Sequence, residues 1–299
     1  MTVSQEDEER PRSLAQLLAF FALSFALAWI FFFAVASQSG STLSPIQGVL
    51  ATLGAFAPGV SALLLTWRAE GRAGVQRLIA PAFRWQVAAR WYVFALFYLL
   101  AVKLLAAVVL RATTGHWPRF GTEMLGIIPF VIAISTFFQA GEEIGWRGYA
   151  LSRLAERMNL SLASLVLGVI WAFWHLPLFY ARGADTFQQS FGVYTLTVIA
   201  MSVAAAWLLA RTGSLWIVML MRAAVNNTKD IVPSATQAGR GVFGWAASPM
   251  SWTTLAILWI VTIVLLVRMP RRLEQNRRGV DDGASPLHLR ERSSEASRT

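Results

Sequence analysis

The sequence predicts an all-α protein, a polytopic bundle of about eight transmembrane helices. Hydrophobic residues make up 56% of the 299 positions and charged residues only 14%, which is too apolar for an ordinary water-soluble domain. The apolar residues fall in runs of about 20, the length that a helix needs to cross the hydrocarbon core of a bilayer. Arginine collects in the connections between these runs.

Eight apolar runs define the predicted helices. They lie at 14–36, 46–67, 91–110, 124–157, 160–180, 190–211, 213–229 and 252–268. The fourth run is longer than one span and becomes polar after Arg147, so we expect part of it to project from the membrane. Residues 1–13 form a charged lead and residues 269–299 a basic tail, and we expect both to be disordered. The membrane domain is therefore predicted at 14–268.

The positions of the arginines predict the topology. The connection after the second helix carries five arginines, and further arginines follow the fourth, sixth and eighth helices. All four regions lie on one side of the membrane if eight helices alternate, and an excess of arginine marks the cytoplasmic side. We therefore expect a protein of the plasma membrane with both termini in the cytoplasm.

Composition excludes several kinds of site. Cysteine is absent, which rules out disulfides, thiolate metal sites and cysteine nucleophiles, and the three histidines make any metal site poor in imidazole. The formal net charge of +10 would suggest a nucleic-acid partner in a soluble protein. Here the arginines lie between apolar runs, where they indicate topology and contact with anionic lipid. We therefore expect membrane lipids, and no nucleic acid, as partners.

Two adjacent carboxylates, Glu142 and Glu143, lie inside the fourth apolar run. A charge at bilayer depth costs at least about 2.5–3.5 kcal/mol, so such residues are candidates for a function. Glu143 and Arg147 are four residues apart and can pair on one face of a helix. Glu142 lies about 100° further round the helix and has no local partner. We therefore expect Glu142 to act on another group.

The fifth run carries Trp171 and His175. A histidine on an apolar helix is more often a hydrogen-bonded core residue than a catalytic one, but the register favours a catalytic interpretation. If the fourth and fifth helices form a tight antiparallel hairpin that turns near 158–159, positions whose numbers sum to about 317 lie at the same depth. Glu142 and His175 fulfil this sum, about 25 Å from the turn at a rise of 1.5 Å per residue.

The seventh run contains Arg222 and Asn226, four residues apart and therefore on one helix face. Their distance from the preceding turn gives them a depth comparable with that of Glu142. A buried arginine is costly unless it is paired, and we expect a carboxylate as its partner.

These motifs resemble those of the CPBP family of intramembrane proteases, which includes CAAX-processing and bacteriocin-processing endopeptidases. The ordered motifs of the family are Glu-Glu-x-x-x-Arg, then an aromatic residue followed by x-x-x-His on the next helix, then His-x-x-x-Asn two helices later. Glu142, Glu143 and Arg147 match the first motif, and Trp171 with His175 matches the second.

The third motif departs from the family pattern. Arg222 stands where the family has histidine, whereas Asn226 is retained, and the resemblance covers roughly residues 120–230. It implies an endopeptidase that acts on a membrane-associated peptide or membrane protein. The family has been described both as metal-dependent and as glutamate-dependent. Zinc, with Glu142 and His175 as its ligands here, is implied by the first description, but the cation at Arg222 disfavours it.

The resemblance also implies roles for these residues in a mechanism without metal. Glu142 is the general base, and it activates a water held between itself and His175 for attack on a peptide carbonyl. Asn226, together with Arg222, donates hydrogen bonds to the oxyanion. The second glutamate and Arg147 form an ion pair that orients the fourth helix. We expect Glu142, His175 and Asn226 to line one water-accessible cavity.

Two alternatives stay open at this point. Arg222 can pair with Glu142 and lock it, which would give a proteolytically silent relative that serves as a scaffold or a bacteriocin immunity factor. The paired glutamates can also belong to a transporter or a proton relay, because carboxylates inside a membrane often mark such pathways.

Overall fold

The structure, a computed structural model, describes residues 3–38, 44–121, 126–232, 241–271 and 273, with side chains from residue 14 onward. These residues form eight helices and no strand, which confirms the predicted all-α bundle. The helices are α1 (Val3–Ala36), α2 (Pro45–Ile79), α3 (Ala89–Thr114), α4 (128–155), α5 (Leu160–Trp174), α6 (Phe191–Thr212), α7 (Leu215–Asn227) and α8 (Pro249–Val267). Short 3-10 turns follow α2, α5 and α7 at Ala80–Phe83, Leu176–Tyr180 and Thr228–Asp230.

Five segments are long and apolar enough to cross a bilayer. They are Leu14–Ala36, Pro45–Phe83, Ala89–Thr114, Phe191–Thr212 and Pro249–Val267. The helices α5 and α7 have 15 and 13 residues, fewer than the roughly 20 that a full span requires. The chain is a membrane protein, whereas the expectation that all eight helices cross the bilayer stays a prediction.

The ends of the membrane domain stay a prediction as well. The helix α1 begins at Val3, and its apolar part begins at Leu14, the predicted start of the first run. The predicted tail, apart from 269–271 and 273, lies outside the described residues.

The helix α4, which carries both glutamates of the first motif, is irregular. It consists of α-helical pieces at Ile128–Phe138, Ala140–Glu143 and Leu151–Ala155, with a π-helical segment at Ile144–Ala150 between the last two. A π turn closes its hydrogen bonds over five residues instead of four, and such turns are frequent at functional sites. The segment begins directly after Glu143. Because it widens the helix, a register counted along a regular α-helix shifts beyond that point.

The helices α2 and α4 approach each other almost backbone to backbone. A Cβ atom at Gly59 would lie 2.7 Å from the carbonyl oxygen of Gly141, and one at Gly145 would lie 2.5 Å from the carbonyl carbon of Pro58. Gly141 and Gly145 have the small-xxx-small spacing that permits close helix packing in membranes. Both glutamates of the motif lie between these two glycines, so the contact fixes their depth and direction.

An aromatic core holds α1, α4 and α5 together. The ring of Trp146 lies edge-on to Phe20 and to Trp174, with centroids 5.6 and 5.7 Å apart. The indole Nε1 of Trp174 donates to the carbonyl oxygen of Ser24 over 3.2 Å. The π segment of α4 and the end of α5 are therefore fixed against the same helix.

The connection between α4 and α5 confirms the predicted hairpin turn near 158–159. Asn159 caps α5 by accepting a hydrogen bond from the backbone N–H of Leu162 over 2.8 Å. The α-helical part ends at Trp174 and not at residue 180, because Pro177 lacks an N–H and disfavours helical geometry in the residue before it. His175 is therefore the C-terminal cap of α5.

We predict that Gly145→Ala lowers the stability of the protein. Its methyl group would overlap Pro58, and overpacking of a tight contact costs about 1–3 kcal/mol. Thermal unfolding of the purified protein in detergent, followed by tryptophan fluorescence, measures the effect. Gly48→Ala is the matched control, because no atom lies within 4 Å of the added carbon and alanine is the better helix former. Equal midpoints for the two variants would contradict the close packing.

Candidate active site

Two carboxylates and two guanidiniums form a closed network in the middle of the helix bundle. Glu142, Glu143 and Arg147 of α4 and Arg222 of α7 are 8%, 0%, 0% and 7% exposed. Arg147 Nη1 donates to Glu143 Oε1 over 3.1 Å, which confirms the predicted pair. Arg222 Nη2 donates to Glu142 Oε2 over 3.3 Å, so Arg222 has the carboxylate partner that its burial required.

Arg222 contacts both glutamates. Its Nε lies 3.2 Å from Glu143 Oε1, close enough for an ion pair but without the angle of a hydrogen bond. Glu143 Oε1 is therefore shared between the guanidiniums of Arg147 and Arg222. The two formal negative charges balance the two positive charges, and a buried charge needs such compensation.

Trp171 of α5 completes the network. Its indole Nε1 donates to Glu142 Oε2 over 2.9 Å. The guanidinium carbons of Arg147 and Arg222 lie 4.2 and 4.3 Å from the centroid of its ring, well within the range of cation–π attraction. Sequence matching placed Trp171 in the motif but did not predict the hydrogen bond. The need of a buried indole N–H for an acceptor is the signal that points to it.

The two glutamates are not equivalent. Glu143 is completely buried, and its Oε2 has no hydrogen-bond partner among the described residues. The side chain of Glu142 keeps 11% of its surface accessible. Both of its contacts use Oε2, which leaves Oε1 without a hydrogen bond to any described residue. Glu142 is therefore the carboxylate that presents an uncommitted oxygen.

His175 lies next to this network and is half-buried. Its Nδ1 is 2.9 Å from the carbonyl oxygen of Trp171. Because a carbonyl only accepts, Nδ1 carries the proton, and Nε2 of the neutral ring is left as an acceptor. The ring packs against Trp171, Trp174 and Tyr194, with centroids 5.7, 4.7 and 5.6 Å apart. Trp171 thus contacts both His175 and Glu142, and the bridging water between the latter two stays a prediction.

Asn226 is exposed and makes no hydrogen bond to the described part of the chain. It lies one turn beyond Arg222 on α7, but Arg222 is buried and Asn226 is exposed, and its role toward an oxyanion stays a prediction. Its neighbour Asn227 donates to Ser135 Oγ over 3.2 Å and to the carbonyl oxygen of Ala223 over 2.7 Å. Asn227 therefore ties α7 to α4. The sequence did not reveal this contact, because two adjacent asparagines do not show which one faces the neighbouring helix.

The donors at this site do not fit a catalytic zinc ion. A catalytic zinc site usually has three protein ligands. Among the described residues, no group of three or more histidine, aspartate or glutamate side chains is placed to hold a metal. Glu142 and His175 supply two donors, and the guanidinium of Arg222 is bound to Glu142 where a third ligand would be needed.

Comparison with known proteins relates this site to a protease family. Residues 124–228, which include every member of the network, match the family model Rce1-like, described as type II CAAX prenyl endopeptidase Rce1-like. The predicted resemblance to the CPBP and CAAX protease family is therefore confirmed. This Rce1-like core runs from the segment before α4 to the turn after α7.

A curated relative shows the same likeness. CAAX prenyl protease 2 of Methanococcus maripaludis is 28% identical over 120 residues, which are 38% of this chain and 43% of that protein. The chain thus matches less than half the length of this relative. The Rce1-like core is the part of the chain that the family comparison covers.

We predict that Glu143→Ala destabilises the protein more than Glu142→Ala does. Loss of Glu143 leaves the buried Arg147 without its carboxylate, and breaking a buried pair costs about 3–5 kcal/mol. Loss of Glu142 leaves Arg222 still close to Glu143. Thermal unfolding of both variants in the same detergent measures the order. A lower midpoint for Glu142→Ala would reject this division of roles.

Proposed function

We propose that the protein is an intramembrane endopeptidase, which hydrolyses a peptide bond in a membrane-associated peptide or membrane protein with Glu142 as general base. One observation carries the proposal: Glu142 has one oxygen fixed by Trp171 and Arg222 and the other without a hydrogen bond to any described residue. A general base needs an uncommitted lone pair at a fixed position. The likeness to the Rce1-like family supports the same class of reaction.

The chemistry needs one water beside Glu142 Oε1. This oxygen takes a proton from the water while the water oxygen forms a bond to the peptide carbonyl carbon. His175 Nε2 accepts the other hydrogen of the water and orients it. The C–N bond then breaks, and the amine nitrogen takes the proton that Glu142 holds, so the carboxylate is regenerated.

Arg222 and Asn226 stabilise the oxyanion in this proposal. Arg222 directs Nη2 and Nε at the glutamates and has no acceptor for Nη1 among the described residues. Asn226, one turn further along α7, is the second donor. A preorganised donor of this kind contributes about 2.7–4 kcal/mol to stabilising a transition state.

The membrane supplies the setting of the reaction. The arginines that follow the second, fourth, sixth and eighth helices favour a plasma-membrane protein with both termini in the cytoplasm. A substrate that is itself embedded in or attached to the bilayer reaches Glu142 without leaving the lipid.

A second function is favoured by the same ion pair. The contact between Arg222 Nη2 and Glu142 Oε2, 3.3 Å long, pairs the carboxylate that the reaction needs with a cation, and Arg222 stands where the resembling family has histidine. If this pair does not open, the protein is a proteolytically silent scaffold or a bacteriocin immunity factor.

We predict that Glu142→Gln abolishes peptide cleavage, because an amide cannot accept the proton of the attacking water. The purified protein in detergent is assayed against a peptide library, with cleavage followed by mass spectrometry. Glu70→Gln is the matched control, because Glu70 is a partly exposed carboxylate that pairs with Arg77 and Arg153 outside the network. Equal cleavage by the native protein and Glu142→Gln would remove Glu142 as the base.

The side chain at position 222 separates the two functions. If Arg222 is an oxyanion donor, Arg222→Ala lowers kcat by about 10²–10³-fold, the effect of removing one such donor, and Arg222→His retains part of the activity. If Arg222 locks Glu142, the native protein is nearly inactive and Arg222→His restores cleavage. Parallel assays of the three proteins give opposite signs for the two cases. No cleavage by any of them, on a substrate that a related protease accepts, would favour the scaffold.

A further inference from the structure

A cavity of about 160 Å³ with a mixed polar and apolar lining lies near His175. It is bordered by α3, the first turns of α6 and α8, and the segment before α8. Tyr194 lines the cavity and also packs against His175, with ring centroids 5.6 Å apart. One side chain thus belongs both to the surroundings of the proposed active site and to the cavity.

The cavity contains a buried cation that the proposed reaction does not use. Lys103 of α3 lines it and is only 6% exposed. Its Nζ donates to the carbonyl oxygen of Val232 over 2.9 Å, which occupies one of the three N–H groups. No described carboxylate lies within salt-bridge distance of Lys103, and Asp230 acts on it only from further away. A buried ammonium without a counter-ion is costly, so the cavity favours an anion.

Two helix N-termini add to the positive potential. The helices α6 and α8 begin at Phe191 and Pro249, and their first turns line the cavity. The N-terminus of a helix carries about half a positive charge and favours anions. The cap residue of each helix uses part of this capacity, since Ser190 Oγ accepts from Val193 N–H over 3.2 Å.

A buried hydroxyl provides an independent sign of a missing partner. Thr254 of α8 lines the cavity and is 6% exposed, and its Oγ1 has no hydrogen-bond partner among the described residues. Buried polar atoms almost always have a partner, so an unpaired one points to a group that binds there. Lys103, Thr254 and the two helix ends are all suited to the same kind of ligand, a small anion.

We propose that this cavity is a carboxylate-binding site. The ammonium of Lys103 is the one full positive charge at the cavity, because the cap residues already use part of the two helix ends, and a monoanion balances it. A carboxylate accepts hydrogen bonds on both oxygens, one set from Lys103 and one from Thr254. The proposal rests on the endopeptidase function in one respect. Tyr194 lines the cavity and packs against His175, so we assign the carboxylate to the bound peptide substrate. A free small carboxylate is the other source of the same chemistry.

Binding measurements test the site without depending on cleavage. The probes are the tripeptide acetyl-Leu-Leu-Leu, its C-terminal amide, and sodium acetate against sodium chloride at equal ionic strength. The protein is the full chain carrying Glu142→Gln, which holds the peptide whether or not the native protein is active. We expect Lys103→Met in this background to weaken binding of the free acid by roughly 10–100-fold, the range for a hydrogen bond to a charged group, and to leave the amide unchanged.

Two further variants keep the result interpretable. Lys229→Met is the matched control, because Lys229 is the other lysine of the chain and pairs with Asp185 at the surface. It should leave the preference for the free acid intact. Thr254→Val removes the hydroxyl but keeps the contact between Lys103 and Val232, and it should weaken binding of the free acid alone. It provides the test if Lys103→Met does not fold.

The outcomes separate the two sources of carboxylate and the two proposals. A preference for the free acid that disappears in Lys103→Met supports a substrate carboxylate, even if the native protein cleaves no peptide. Stabilisation by acetate that depends on Lys103, without a preference between the peptides, supports the site with a free small carboxylate as its ligand. If neither the peptides nor acetate respond to Lys103→Met or Thr254→Val, the site does not exist. Loss of cleavage alone bears only on the proposed function.

Discussion

The structure depends on the neutralisation of four charges inside a membrane protein. Glu143 Oε1 is shared by Arg147 from its own helix and Arg222 from α7, so one buried oxygen connects two helices that are far apart in the chain. None of these side chains is stable there alone, because an isolated charge at this depth costs several kcal/mol. The network therefore forms only when α4 and α7 are correctly placed. Close packing of Gly141 and Gly145 against α2 supplies that placement for α4.

The same network gives the two glutamates different surroundings. The shared oxygen of Glu143 has a guanidinium on each side, so Glu143 is held by two ion pairs. Glu142 receives its two donors on one oxygen and keeps the other uncommitted. The two residues are adjacent in the sequence, but the helix turns them in different directions. One carboxylate is closed into the ion-pair network, and the other presents the free oxygen that the proposed reaction uses.

The sequence predicts much of this arrangement, and its failures have local causes. Run lengths and helix spacing were sufficient for the eight helices, the Glu143–Arg147 pair and the carboxylate partner of Arg222. The hairpin register, counted on regular helices, placed Glu142 and His175 at one depth but did not point to Trp171, whose indole donates the hydrogen bond to Glu142. The π segment of α4 and the end of α5 before Pro177 are not visible in hydrophobic periodicity either. The direction of the side chains on α7, which brings Asn227 to Ser135, could not be predicted from the sequence either.

Arg222 explains how the chain can depart from the pattern of the family that it resembles at one motif position and still keep the other motif residues together. With histidine at 222 in its neutral form, the two glutamates and Arg147 would carry a net charge of −1, and the site would attract a further cation. With Arg222 the charges balance within the protein, and the guanidinium occupies the space beside Glu142 that such a cation would take. A fixed guanidinium holds the carboxylate as a metal ion would, but it cannot bind and activate a water as a Lewis acid. In the proposed reaction, activation of the water therefore falls to Glu142, and Arg222 contributes only by stabilising negative charge.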